Sequence, residues 1–356
     1  MLGNILIKGN EAIGETAIRC GCRYYFGYPI TPQSELLEYM AAQLPKRGGV
    51  FLQSESELAG ISMLYGAVAG GNRAMTSSSS PGISLMQEGI SYLASAELPS
   101  VIVNISRGGP GLGRITPAQG DYFQAVKGGG HGDYHMVVLA PASVEEAAEI
   151  TSLAFYIADC YRTPVMILGD SFVGQMMESI SEDAMENKYP LVEKPWAATG
   201  AGGKERHMVL SAPFTNEELV LLCQKLTKKY REIAEKETRY ENFQAEDADV
   251  ILVAFGIVSR FCKAAVEELR AEGKKVGLLR PITLYPFPTK VIHELSDKAL
   301  FLDVEMNEGQ MLEDVKLAVN GKTRVEFLGG GGGFVTPPSM IADKVRDLYK
   351  RGLIHG

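Results

Sequence analysis

Between residue 1 and about residue 185, short apolar runs alternate with helix-period patterns, and that alternation leaves few folds open. Tyr24–Tyr28, Arg73–Ser77, Val101–Ser106, Met136–Ala140 and Val165–Leu168 read as strands. Pro32–Leu44, Leu58–Ala69, Ile83–Ala96, Thr116–Val126 and Val144–Tyr161 read as the helices that link them. Apolar strands separated by helices predict an α/β fold with a mostly parallel sheet covered on both faces. Binding sites in such sheets gather where strands end and loops carry Gly, Pro, Ser and Thr. Here those loops are Gly27–Pro32, Thr76–Gly82 and Ser106–Pro117.

A second α/β unit is expected from Asp249. Its strands are Val250–Ala254, Lys275–Leu279, Ala299–Val304 and Arg324–Leu328, and its helices Arg260–Glu272 and Ser339–Arg351. Residues 186–248 read as a connecting segment, irregular around Pro190, Pro195 and residues 197–203, then a charged helix from Asn216 to about Arg239. The length of 356 residues suits two cores. The glycine run 329–333 lacks the Lys-Ser/Thr of a phosphate-binding loop and is expected to be mobile. Gly109–Gly113 has the wrong spacing for a dinucleotide fingerprint.

A formal charge of −8 without a basic run argues against nucleic acid as a partner. The five cysteines are odd in number and lie mostly in apolar segments, which suits reduced thiols in a cytoplasmic protein. Cys20 and Cys22, the one close pair, are too few for a zinc or iron–sulfur site. Neither a signal peptide nor a membrane span is expected. His131, Asp133 and His135 invite a metal reading, but glycines flank His131 and no third ligand is evident, so no metal is expected on this chain.

Chemistry is expected around Phe51–Gly71. Ser54 stands three residues before Glu57, the spacing of a capping box, ahead of a helix full of Ala, Gly and Ser that lets another backbone or a flat ligand approach. Thr31-Pro32, Thr116-Pro117 and Thr336-Pro337 each place Thr at a helix N-cap and Pro at the first helical position. Such ends are ordinary helix starts and also seats for carboxylates. Arg107 follows a β-branched strand and can grip a carboxylate with two parallel hydrogen bonds.

Tyr28-Pro29-Ile30-Thr31-Pro32, the Glu57 helix, and Arg107-Gly-Gly-Pro followed by Thr116 together resemble the α subunit of 2-oxoacid:ferredoxin oxidoreductases, most closely the branched-chain (2-oxoisovalerate) type. The resemblance covers nearly the whole chain. It implies a pyrimidine-binding domain of thiamine-diphosphate enzymes over 1–185 and a transketolase-C-terminal-like domain over 249–356, which includes Glu305–Gln310. Glu57 then matches the glutamate that hydrogen-bonds N1′ of the aminopyrimidine and sets its tautomer. Tyr28 and Pro29 belong to the cofactor-binding motif. Thr31 matches a threonine beside the reacting carbon, and Arg107 and Thr116 match residues that hold the 2-oxoacid carboxylate.

The chain departs from the wider thiamine-diphosphate pattern in lacking Gly-Asp-Gly followed by Asn-Asn; Gly169-Asp170-Ser171 and Gly132-Asp133-Tyr134 are no substitute. It also lacks Cys-x-x-Cys groups. The resemblance therefore implies a β subunit that supplies the diphosphate and Mg2+ site. Iron–sulfur clusters and some CoA contacts are expected on ferredoxin-like γ/δ subunits or domains, with ferredoxin as acceptor and a dimer of heteromers as assembly. The reaction expected is oxidative decarboxylation of 2-oxoisovalerate to an acyl-CoA. Arg114 and Lys127 leave 2-oxoglutarate open as substrate. A non-catalytic scaffold and a transketolase-like or pyruvate-dehydrogenase-like component are the remaining alternatives.

Overall fold

The computed structural model describes residues 3–202 and 205–353; Gly203 of the irregular stretch lies outside them. In chain order the first unit comprises β1 (Asn4–Lys8), α1 (Gly9–Arg19), β2 (Tyr24–Gly27), α2 (Ser34–Gln43), β3 (Val50–Gln53), α3 (Glu57–Ala69), β4 (Ala74–Ser78) and α4 (Ser80–Ser95). It continues with β5 (Ser100–Ser106), β6 (Val137–Leu139), α5 (Val144–Tyr161), β7 (Pro164–Asp170), α6 (Ser171–Gln175) and β8 (Met177–Ser181). After α7 (Asn216–Lys236) come β9 (Tyr240–Phe243), β10 (Val250–Val253), α8 (Gly256–Ala271), β11 (Val276–Pro281), β12 (Thr283–Tyr285), α9 (Thr289–Leu295), β13 (Leu300–Glu305), α10 (Met311–Val319), β14 (Val325–Gly329) and α11 (Pro338–Lys350).

The first sheet runs β12-β6-β7-β5-β4-β2-β3, parallel except for β12 at its edge. Its central strands β4, β5 and β7 are buried along their whole length, which is why they read as continuous rather than alternating apolar text. The second sheet runs β14-β13-β10-β11-β9, again parallel but for an antiparallel edge. No described helix is long and apolar enough to cross a membrane.

At two points the division into units differs from the sequence reading. Tyr240–Phe243, expected within the connecting segment, pairs with β11 and belongs to the second sheet. β12, from the second unit, closes the first sheet by pairing with β6. Both are short edge strands, and their pattern is too brief to stand out from loop text. The two units also share apolar cores: Ile13, Tyr25 and Val103 pack in one cluster with Val250, Leu252 and Leu302.

Arg280 at the end of β11 joins the units electrostatically. Its NH1 and NH2 donate to the two Glu146 carboxylate oxygens at 2.7 Å each, and its Nε donates to Glu241 at 2.9 Å. Removing the cation leaves two facing, half-buried carboxylates. Arg280→Met is therefore expected to destabilise the chain by about 2 kcal/mol, read by denaturant unfolding. A loss below about 0.5 kcal/mol would show the bridge to be idle.

His135, weighed above as a metal ligand, is instead stacked on Tyr285 at 4.3 Å between ring centres, with Tyr230 edge-on at 5.2 Å. Burial pushes its imidazolium pKa down. Among the described residues no three His, Cys, Asp or Glu side chains converge as a metal site.

Candidate active site at the carboxyl ends of the first sheet

Glu57 opens α3 and is buried, 5% exposed. The expected capping box is displaced by two residues: Ser56 is the N-cap, and its Oγ accepts from Ala59 N at 3.2 Å. Ser54 is buried with its hydroxyl unpartnered, close over Gly60. Glu57 thus caps nothing, and among the described residues its carboxylate receives no hydrogen bond.

That carboxylate lies against Gly82 in the first turn of α4. A Cβ at position 82 would stand 2.4 Å from Glu57 Oε1 and 2.0 Å from Ser78 Oγ. Ser78 and Ser79 are fully buried, and their hydroxyls too lack partners. A buried carboxylate and unpartnered hydroxyls are costly unless something else completes them. Gly82→Ala is expected to displace the Glu57 carboxylate and lower turnover at least tenfold, because the methyl group would take the space that the carboxylate and the Ser78 hydroxyl now occupy. Unchanged turnover with a folded, assembled protein would show that the carboxylate position is not critical.

The loop after β2 carries Tyr28, Pro29, Thr31 and Pro32. All but Pro32 are exposed. The loop is fixed from beneath by Gln33, which sequence reasoning passed over. Gln33 is fully buried; its Nε2 donates to Tyr28 O at 3.2 Å and its Oε1 accepts from Ser77 Oγ at 2.6 Å. Tyr25 OH meets the same Ser77 hydroxyl, and Asn10 Nδ2 holds Pro32 O at 2.9 Å. Helix α2 starts only at Ser34, so Thr31 is a turn residue rather than an N-cap.

Arg107, at the end of β5, is 7% exposed. NH1 donates to Thr31 O at 3.0 Å and NH2 to Leu112 O at 2.7 Å, while buried Nε has no partner. Two of its five N–H groups are spent on positioning two loops, and three remain for a ligand. Arg107 N donates to Ser80 Oγ at 3.0 Å, so the helix start that abuts Glu57 also anchors Arg107.

Thr116 does not begin a helix; the segment expected to be helical forms only the π-helical turn Gln124–Gly128. Thr116 Oγ1 is buried and unpartnered. Gly108 presses on it from one side, where a Cβ would stand 2.4 Å from the hydroxyl. Gly333, at φ +92°, presses from the other with a Cβ position 2.9 Å away. The glycine run 329–333, expected to be mobile, is therefore packed over Thr116, and Gly331 N donates to Glu308 at 2.8 Å. Thr336-Pro337 comes closest to its expected role, with α11 starting at Pro338.

The structure thus joins Thr31, Arg107, Ser80 and the Glu57–Gly82 contact around one rim. Residues 15–242 match the family model described as pyruvate flavodoxin/ferredoxin oxidoreductase, thiamine diphosphate binding, and residues 248–341 match pyruvate:ferredoxin oxidoreductase core domain II. The chain belongs to the 2-oxoacid:ferredoxin oxidoreductases.

Within that family it is 48% identical to the ketoisovalerate oxidoreductase subunit VorB of Methanothermobacter thermautotrophicus, over 96% of this chain and 97% of the relative. It is 40% identical to the 2-oxoglutarate synthase subunit KorA of Archaeoglobus fulgidus, over 94% and 97%. A solved 2-oxoglutarate:ferredoxin oxidoreductase from Magnetococcus marinus, with 2-oxoglutarate, coenzyme A and succinyl-CoA bound, superposes with a TM-score of 0.89 at 27% identity. That match covers 97% of this chain, which spans 65% of the solved one. A split-gene transketolase β4 tetramer, 16% identical with a TM-score of 0.60, shares the fold. The chain is accordingly an oxidoreductase subunit with a thiamine-diphosphate-enzyme α/β fold.

Unpartnered buried hydroxyls beside a carboxylate that occupies the space over Gly82 would fit the flat, hydrogen-bonding edge of an aminopyrimidine.

Proposed function

We propose that the chain is the catalytic α subunit of a 2-oxoacid:ferredoxin oxidoreductase acting on 2-oxoisovalerate. In the overall reaction the 2-oxoacid loses carbon dioxide, its acyl carbon forms a thioester with the CoA thiol, two electrons reduce two ferredoxins, and one proton is released. The observation that carries the reading is the buried Glu57 carboxylate, free of internal hydrogen bonds, on the rim it shares with Arg107 and Thr31.

When bound, thiamine diphosphate supplies the electron sink for decarboxylation. The residues of this chain supply placement. Glu57 would hydrogen-bond N1′ of the pyrimidine, in a buried site where such a bond counts. Arg107 offers its remaining N–H groups to the substrate carboxylate, with the Thr116 hydroxyl beside it. Thr31, with Tyr28 and Pro29 on the same exposed loop, would stand beside the reacting carbon and the cofactor. Residues 1–185 serve as the pyrimidine-binding unit and 249–356 as a transketolase-C-terminal-like one. The diphosphate and Mg2+ belong to a β subunit, and the iron–sulfur clusters to ferredoxin-like chains, in a cytoplasmic dimer of heteromers.

The branched-chain substrate is supported by the ketoisovalerate relatives and by exposed Leu112 and Ile115 on the Arg107 loop, which offer apolar surface to an aliphatic tail. Arg114 on the same loop, with the 2-oxoglutarate relatives, favours the second reading, 2-oxoglutarate. The purified complex is tested with 2-oxoisovalerate, pyruvate, 2-oxoglutarate and indolepyruvate under viologen reduction. The highest kcat/KM is expected for 2-oxoisovalerate; a preference for 2-oxoglutarate selects the second reading, and no reduction with any of them sinks both.

A further inference from the structure

Residues 119–123 follow the Arg107 loop and are held by the second unit at three points. Gln119 and Met306 exchange hydrogen bonds at 3.0 and 3.1 Å, Tyr122 OH donates to Asp314 Oδ2 at 2.7 Å, and Phe123 N donates to Gln310 Oε1 at 2.7 Å. Asp121 lies in the middle of this clamped stretch, yet its side chain reaches back into the first unit. Its Oδ2 accepts from Ser80 Oγ at 2.6 Å and from Asn104 Nδ2 at 2.9 Å. Burial pushes its carboxyl above the ordinary range, and the Ser80 and Asn104 donors oppose that by favouring the charged form.

Both partners belong to the rim. Asn104 is fully buried on β5, three residues before Arg107, and its Oδ1 accepts from Ser80 N at 3.2 Å. Ser80 opens α4 two residues before Gly82 and accepts on its Oγ from Arg107 N. It stands at φ +22°, a strained value for a residue with a side chain. The directions of these bonds are forced. An amide N–H can only donate and a carboxylate can only accept, so the one Ser80 hydroxyl proton points at Asp121 and a lone pair at Arg107. Without that carboxylate the hydroxyl is free to turn, and fewer hydrogen bonds offset the strain at Ser80.

We infer that Asp121 is a positioning residue: through the Ser80 hydroxyl it fixes the backbone of Arg107 and the start of α4, and so ties the geometry of the rim to the seating of the second unit. The inference rests on the function proposed above. It assigns Asp121 no contact with substrate or cofactor and adds no chemical step; Arg107 remains the group that meets the 2-oxoacid carboxylate.

The test uses the whole complex carrying Asp121→Ala, Asp121→Asn, Ser80→Ala or both alanine changes together. Asp121→Ala is expected to raise the KM for 2-oxoisovalerate about tenfold with kcat within about threefold, and to speed amide hydrogen exchange across residues 104–112 at least tenfold. Asp121→Asn keeps an oxygen toward Ser80 and Asn104 and is expected to stay within about threefold of the unmodified complex on every readout. The double alanine variant is expected to match Ser80→Ala within about twofold, because both changes break one relay. Unchanged exchange and KM in Asp121→Ala would overturn the assignment. So would losses that add in the double variant, or an asparagine variant as impaired as the alanine one. If Asp121→Ala does not assemble, Ser80→Ala decides: faster exchange and a raised KM support the relay, and unchanged values overturn it. If the unmodified complex shows no 2-oxoacid-dependent viologen reduction, the proposed function fails instead, and the exchange measurement still decides whether Asp121 holds the Arg107 backbone.

Discussion

Glu57→Gln is expected to cut 2-oxoacid-dependent reduction of ferredoxin or viologen by about 10²–10⁴, the range associated with a positioned proton donor or acceptor. The change is nearly isosteric, so Gly82 still accommodates the side chain and the Ser56 cap of α3 is untouched. An amide can offer N1′ a hydrogen bond but cannot trade a proton with it. The expected signature is therefore loss of turnover with an intact complex and an unfolding midpoint moved by no more than a few degrees. Rates within threefold of the unmodified complex would leave the chain a scaffold. Activity with a lipoyl acceptor and none with ferredoxin would select the pyruvate-dehydrogenase-like alternative.

Arg107→Ala is expected to lower kcat/KM for the 2-oxoacid by about 10²–10³, from two losses acting together. The carboxylate loses its bidentate partner, and Thr31 O and Leu112 O lose the donors that hold their loops. Arg107→Lys is expected to recover little, since a single ammonium cannot reach two carbonyls and grip a carboxylate as well. The loss is expected to fall more on KM than on kcat, so that saturating 2-oxoisovalerate restores much of the rate. A lysine variant with full kcat/KM would show that charge alone matters there and that the loop tethers are incidental.

Much of the fold is legible in the sequence because buried parallel strands announce themselves. The runs at Val101–Ser106 and Val165–Leu168 correspond to the central β5 and β7. Edge elements are less legible: β9 and β12 are short, and their identity depends on distant strands that no local pattern reveals. The same division runs through the site. Arg107 stands out by its place at a strand end, whereas Glu57 and Thr31 stand out by the family motifs they resemble. Gln33, Gly82 and Ser80 do not, since their roles come from contacts across the sheet rather than from spacing. The Thr-Pro pairs misled for a physical reason. Pro32 and Pro117 are consistent with a helix start, but Gln33 anchored to Ser77, and Thr116 held between Gly108 and Gly333, take those backbones elsewhere.

The antiparallel strand that the second unit lends to the first sheet forbids dividing this protein at the junction between its halves. A chain ended near residue 248 would leave Val137–Leu139 as an open hydrogen-bonding margin with apolar residues on both sides, a template for self-association. Truncated versions should precipitate or scavenge a neighbour's strand, and heating the intact chain should melt both halves in one transition.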